Sequence, residues 1–160
     1  MPAITPSMEF IRLMRSGAPD ATAYVKGNQN HPGLAGTVNF YATSYGGVLI
    51  AAEIFGLPNI TKPESVDFYG FHIHEHGDCT LPFDRTGDHY NPDGDKHPSH
   101  AGDLPPLMGN QGYAFLVAYD KHFRLPDIIG RSVIIHDKPD DFTTQPSGNS
   151  GTKIACGVIR

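Results

Sequence analysis

The residues able to do chemistry gather between Gly70 and Leu104, in the stretch GFHIHEHGDCTLPFDRTGDHYNPDGDKHPSHAGDL. It holds six of the nine histidines and one of the two cysteines. His72 and His74 sit two apart in an extended-looking segment. Side chains alternate faces along a strand, so both share a face and can converge on one metal ion. His89, His97 and His100 follow in a Gly/Pro/Asp-rich stretch that can only be loop, with Asp103 three residues later. His136 closes the distant apolar run SVIIH. A lone His-x-His pair on a strand is a weak signal, but this set reads as a metal site. Its seven candidate ligands exceed what one four-coordinate ion uses, so two ions are expected. Imidazole suits copper and zinc, three nitrogens with a carboxylate suit tetrahedral zinc, and an all-imidazole set on rigid strands suits copper.

The segments that must position these residues are short and β-rich. ATAYVKG, GLAGTVNFYAT, VLIAAEIFG, VDFYGFHIHEHG, GYAFLVAYD, RSVIIHD and IACGVIR read as strands separated by Gly/Pro/Asn turns. FRLPDIIG is a broken segment, and DKPDDFTTQPSGNSGTK is a polar loop. Seven or eight short strands with no alternating helices imply an antiparallel sandwich or Greek-key barrel. Residues 1–20 form an extension in which Met8, Ile11 and Met14 have helical spacing, with Ser7 as N-cap and Gly17 as stop. A short helix packed on the barrel or on a second subunit is the expectation there.

The chain has 160 residues, 18 Gly, 14 Pro, no Trp and a net charge of −5, which fits one domain able to bury a core. The negative balance argues against nucleic acid and anionic membrane surfaces as partners. No apolar stretch is long enough to span a bilayer, and MPAITPSMEFIRLMRSG lacks the apolar segment of a secretory leader. The compartment reads as cytoplasmic, or extracytoplasmic if a leader has been removed. Cys79 and Cys156 allow one bridge or two separate buried thiols; a bridge would close a long loop, worth roughly 4–5 kcal/mol in the chain-entropy account. A sequon at Asn59 is not expected to carry glycan.

GFHIHEHGD, GDHYNP with KHPSHAGDL, IIGRSVIIHD and GNSGTKIACGVI together resemble the Cu/Zn superoxide dismutase family, in order, over residues 21–160. The resemblance implies an all-β fold: an eight-stranded antiparallel Greek-key β-barrel, a flattened sandwich with long metal-binding and active-site loops. It implies copper held by His72, His74, His89 and His136, and zinc held by His89, His97, His100 and Asp103. His89 would be shared by both ions and act in catalysis. Asp140 would accept hydrogen bonds from one histidine of each set, fixing their tautomers. Cys79 and Cys156 match the family disulfide. The short metal loop, and the cysteine directly after HGD, are closer to bacterial members than to animal ones. The implied activity is disproportionation of superoxide to dioxygen and hydrogen peroxide, with superoxide anion as the small partner and a homodimer as one assembly the family uses.

One position departs from the pattern. Lys153 stands where the family carries the arginine that docks superoxide beside copper. A lysine keeps the charge and loses the planar two-donor fork, so activity is expected to be retained but lower, with a steep salt dependence. DKPDDFTTQPSGNSG is also short for a charged guiding loop. Two other functions therefore compete: a copper/zinc-binding protein that buffers or delivers metal with little turnover, and a zinc-stabilised structural domain. His31, His76 and His122 match no ligand position. Gly148 and Gly151 read as backbone necessities of the loop beside copper.

Overall fold

The computed structural model describes residues 5–62 and 64–160. Residues 1–4, part of the expected extension, and residue 63 lie outside the described residues. Nine strands run in chain order: β1 (Ala21–Gly27), β2 (Ala35–Ala42), β3 (Val48–Phe55), β4 (Phe68–Tyr69), β5 (Phe71–His74), β6 (Leu107–Met108), β7 (Ala114–Asp120), β8 (Ser132–His136) and β9 (Lys153–Val158). An N-terminal helix α1 spans Pro6–Ser16, and the segment FRLPDIIG contains a one-turn helix α2 at Leu125–Ile128.

Seven strands form one antiparallel sheet in the order β5-β8-β9-β1-β2-β3-β7. The chain crosses from β3 to β5 at the opposite edge, returns to β7 beside β3, then crosses again to β8. That is Greek-key connectivity. Alternate residues from both ends of the sheet (Val38, Phe40, Ile50 and Ile54; Phe71, Ile73, Val133 and Ile135) pack into one buried cluster. The sheet is therefore curled around its own core as a half-barrel.

The strand expected as one unit, VDFYGFHIHEHG, divides at Gly70. Before it, β4 pairs with β6; after it, β5 pairs with β8. The eighth strand of the expected barrel shrinks to the two residues of β6. The preceding Pro105 and Pro106 have no N–H to donate to a ladder, which stops longer pairing.

Helix α1 forms where expected and stops at the expected glycine, but differs in its N-cap and in the face it buries. Thr5 takes the N-cap position instead of Ser7, Pro6 follows in the first turn, and Gly17 stops the helix at φ 86°. The stripe Met8, Ile11 and Met14 is solvent-exposed. Phe10 and Leu13 pack on the outer face of the sheet, over Tyr41, Leu49 and Ala51. On the same side Glu9 is buried, paired with Arg12 of its own helix at 2.7 Å and with Ser44 at 3.3 Å. Among the described residues, no helix is long and apolar enough to cross a membrane. The Asn59 amide is buried, donating to Gly109 O and accepting from Gly112 N.

Candidate metal centre

Strand β5 sends Phe71 and Ile73 into the core, so His72 and His74 emerge on the opposite face. Strand β8 does the same with Val133 and Ile135, which puts His136 beside them; β5 and β8 are paired, His72 opposite Ile134. The free edge of β5 is not left bare. The metal loop runs along it, with bridges from His72 to Asp103 and from His74 to His89. An edge that would otherwise expose unpaired peptide groups thus fixes the loop that carries the remaining candidate ligands.

Two clusters result. His72, His74, His89 and His136 form the first, and His89, His97, His100 and Asp103 the second; in each, one ligand atom per residue lies within 4.8 Å of all the others. His89 belongs to both. Its Nδ1 is 2.7 Å from Asp103 Oδ1, while its Nε2 is buried without a hydrogen-bond partner among the described residues. His74 and His136 bring their Nε2 atoms within 3.4 Å of each other. His72 offers Nδ1, also buried and unpartnered.

The other nitrogen of four of these rings is held by a neighbouring segment. His72 Nε2 and His97 Nε2 donate to Asp140 at 2.8 and 2.7 Å, His74 Nδ1 donates to Gly87 O at 2.9 Å, and His136 Nδ1 lies 3.3 Å from Gly151 O. In the second cluster, His97 Nδ1 and His100 Nδ1 sit 3.1 and 3.3 Å from Asp103 Oδ2, without hydrogen-bond alignment. A buried polar atom left unpartnered costs about 1–3 kcal/mol. Four such ring nitrogens converging on two points are what a pair of metal ions would satisfy, and the donor sets suit copper and zinc.

Electrostatics favour the form that binds metal. Burial lowers the pKa of His72 to about 4, although its bond to Asp140 opposes this. Burial, with His72 nearby, lowers that of His136 to about 3, and burial also holds His74 well below the usual value. Burial pushes Asp140 upward, yet bonds from His72 and His97 outweigh it and keep the carboxyl ionised far below its ordinary range. The same balance lowers Asp103, through His89.

Above the first cluster opens a cavity of about 350 Å³, lined by His74, His89, His136, Glu75, Gly151 and Lys153. Cys79 and Cys156 form a disulfide with Cα atoms 5.7 Å apart, tying the loop after His74 to β9. His31, His76 and His122 fall outside both clusters.

Three supporting residues carry no local sequence signal. Gln145 exchanges two hydrogen bonds with the His97 backbone, fastening the loop after β8 to the metal loop. Arg131 donates to Glu75 O and lies 3.8 Å over the Tyr90 ring, bracing the neighbours of His74 and His89. Thr86 is fully buried and receives the Lys153 ammonium. Their partners lie 41 to 67 residues away in sequence, so only folding reveals them.

A curled Greek-key sheet bearing two imidazole-rich clusters that share one ring defines a paired-metal β protein. Residues 34–159 match the family described as copper/zinc superoxide dismutase. The chain is also 34% identical over 155 residues to "Superoxide dismutase [Cu-Zn] 3" of Arabidopsis thaliana, covering 87% of this chain and 88% of that protein. The chain belongs to the Cu/Zn superoxide dismutase family.

Proposed function

We propose that this protein disproportionates superoxide to dioxygen and hydrogen peroxide, with copper held by His72, His74, His89 and His136. Zinc is held by His89, His97, His100 and Asp103. The observation that carries the reading is the membership of His89 in both clusters, one ring nitrogen facing each. When bound, copper supplies one-electron oxidation and reduction of superoxide, and zinc, which has no redox chemistry, supplies a fixed charge. The chain does the rest by geometry. Asp140, Gly87 O and Gly151 O hold the outer ring nitrogens, so the inner ones keep their places as charge changes. Asp103 keeps the His89 ring oriented through Nδ1, which leaves Nε2 as the atom able to carry a proton toward the cavity. The cavity has room for a small anion, and Lys153 gives it positive charge.

The test begins with metal analysis of the purified chain, expecting one copper and one zinc. Superoxide decay is then followed after its rapid generation. Catalytic decay proportional to protein concentration is expected. A fully metallated chain that removes superoxide no faster than a heat-denatured control would overturn the reading. It would favour metal buffering, the alternative kept open by the environment of Lys153.

A further inference from the structure

The Lys153 side chain starts β9 and crosses to the loop that follows the Cys79 half of the disulfide. Its Nζ donates to Thr86 Oγ1 at 2.9 Å and to Gly87 O at 2.9 Å, and lies 3.5 Å from Phe83 O. An ammonium has three N–H groups and no more. All three point at protein oxygens, two of them at short distance. An anion entering the cavity finds the charge but no free donor, and must break one of these bonds to make its own.

The Gly87 carbonyl has a second donor, His74 Nδ1 at 2.9 Å. A carbonyl oxygen has two lone pairs, so Lys153 and His74 together fill it. Gly87 sits at φ 73°, and a Cβ there would come within 2.5 Å of Glu75 Oε2. The peptide that orients His74 therefore lies in a glycine-only stretch of loop, and the ammonium is its anchor from the β9 side. Thr86 donates onward to Phe83 O at 2.8 Å, closing the set.

We propose that Lys153 is a positioning residue, clamping the Gly87 carbonyl that holds His74 in its metal-facing tautomer, and that this clamp replaces direct hydrogen-bonded docking of the anion. The proposal deepens the dismutase reading and rests on it for the identity of the anion. Arginine, with five donors, could hold these oxygens and still present free N–H groups to the cavity.

Two readouts separate the clamp from docking, and neither is turnover. The first is solvent exchange of the His74 Nδ1 proton, followed by 15N-resolved NMR in the zinc-loaded chain without copper. Lys153→Met is expected to speed that exchange at least about tenfold, since the shared carbonyl loses its anchor, and Lys153→Arg to restore it. Unchanged exchange in Lys153→Met would overturn the clamp.

The second is azide binding to the copper- and zinc-loaded chain, read by its visible absorption. A charge-assisted bond to the anion is worth about 1.5–3 kcal/mol, or roughly 10- to 150-fold in affinity. Lys153→Met should therefore weaken azide by less than about tenfold, through loss of charge alone. Thr86→Val, which releases one ammonium N–H, should tighten it severalfold. A loss greater than tenfold in the first variant, or no gain in the second, would overturn the statement that the donors are occupied. If Lys153→Met does not fold, the Thr86→Val azide titration still decides. Failure of the dismutase reading would show separately, as wild-type protein that is fully metallated yet inactive.

Discussion

Replacing Asp140 by asparagine is expected to injure the two metal sites unequally. Asp140 Oδ1 accepts from His97 Nε2 at 2.7 Å and from the Phe142 amide at 2.7 Å, whereas Oδ2, among the described residues, accepts only from His72 Nε2 at 2.8 Å. The asparagine carboxamide has one acceptor oxygen, which will sit where two donors converge. Its NH₂ group then faces His72 Nε2–H, donor against donor. His72 must lose this bond or move its proton to Nδ1, the atom it offers to the first cluster. Losing a bond to a charged acceptor costs about 1.5–3 kcal/mol, roughly 10- to 150-fold in copper affinity. His97 keeps an acceptor, now neutral, so the zinc site should lose about 1 kcal/mol, roughly fivefold. Competition titrations of Cu(II) and Zn(II) against a chromophoric chelator at neutral pH measure both affinities. Copper affinity within threefold of wild type, or a larger loss for zinc than for copper, would refute the account.

Acid should weaken the metal-free protein in a defined window. His72 and His136 titrate near 4 and 3 when folded and near 6.5 when unfolded, because burial disfavours the charged ring. The unfolded state therefore binds more protons between pH 6.5 and about 3–4, and stability falls as pH falls across that range. The slope is roughly 1.4 kcal/mol per pH unit for each histidine. Urea melts of apoprotein from pH 8 to pH 4 check this, and a flat profile contradicts it. Gly148→Ala places a Cβ 2.0 Å from Asp140 Oδ1 and 2.6 Å from His97 Nε2, at φ 68°. Relief must move the loop off the Asp140–His97 bond, so zinc affinity should drop at least about tenfold, and wild-type affinity in a chelator titration would sink the argument. Cys79→Ser with Cys156→Ser opens a link across 77 residues, worth roughly 4–5 kcal/mol of chain entropy. A shift in the denaturation midpoint equivalent to less than about 1 kcal/mol would show that entropy is not what the bridge contributes.

Much of the site was legible because metal chemistry restricts residue type. Histidines two apart on a strand say little alone, but combined with a histidine-rich loop ending in aspartate they have few other uses. The β-rich fold was legible for a similar reason: short apolar runs with turn residues between them and no helical period leave only sheet architectures. What stayed hidden depends on contacts distant in the chain. The exposed side of α1 is one case. Met8, Ile11 and Met14 have the spacing of a buried stripe, but the side turned to the sheet carries Phe10, Leu13 and Glu9, where Glu9 meets Ser44 from 35 residues away. The division of one strand into β4 and β5 is another, since Gly70 marks a change of partner and no partner is written in the strand's own residues.

By itself the sequence determined the chemical inventory: which side chains can bind metal, which cysteines can pair, and that alternating apolar residues must form a sheet with two faces. Tertiary structure decided which nitrogen of His72, His74, His97 and His136 faces inward, because that choice is made by Asp140, Gly87 O and Gly151 O on other segments. It also decided that the Lys153 ammonium meets three loop oxygens beside the cavity. Residue type sets what a group can donate or accept; only folding sets which partner is close enough to take it.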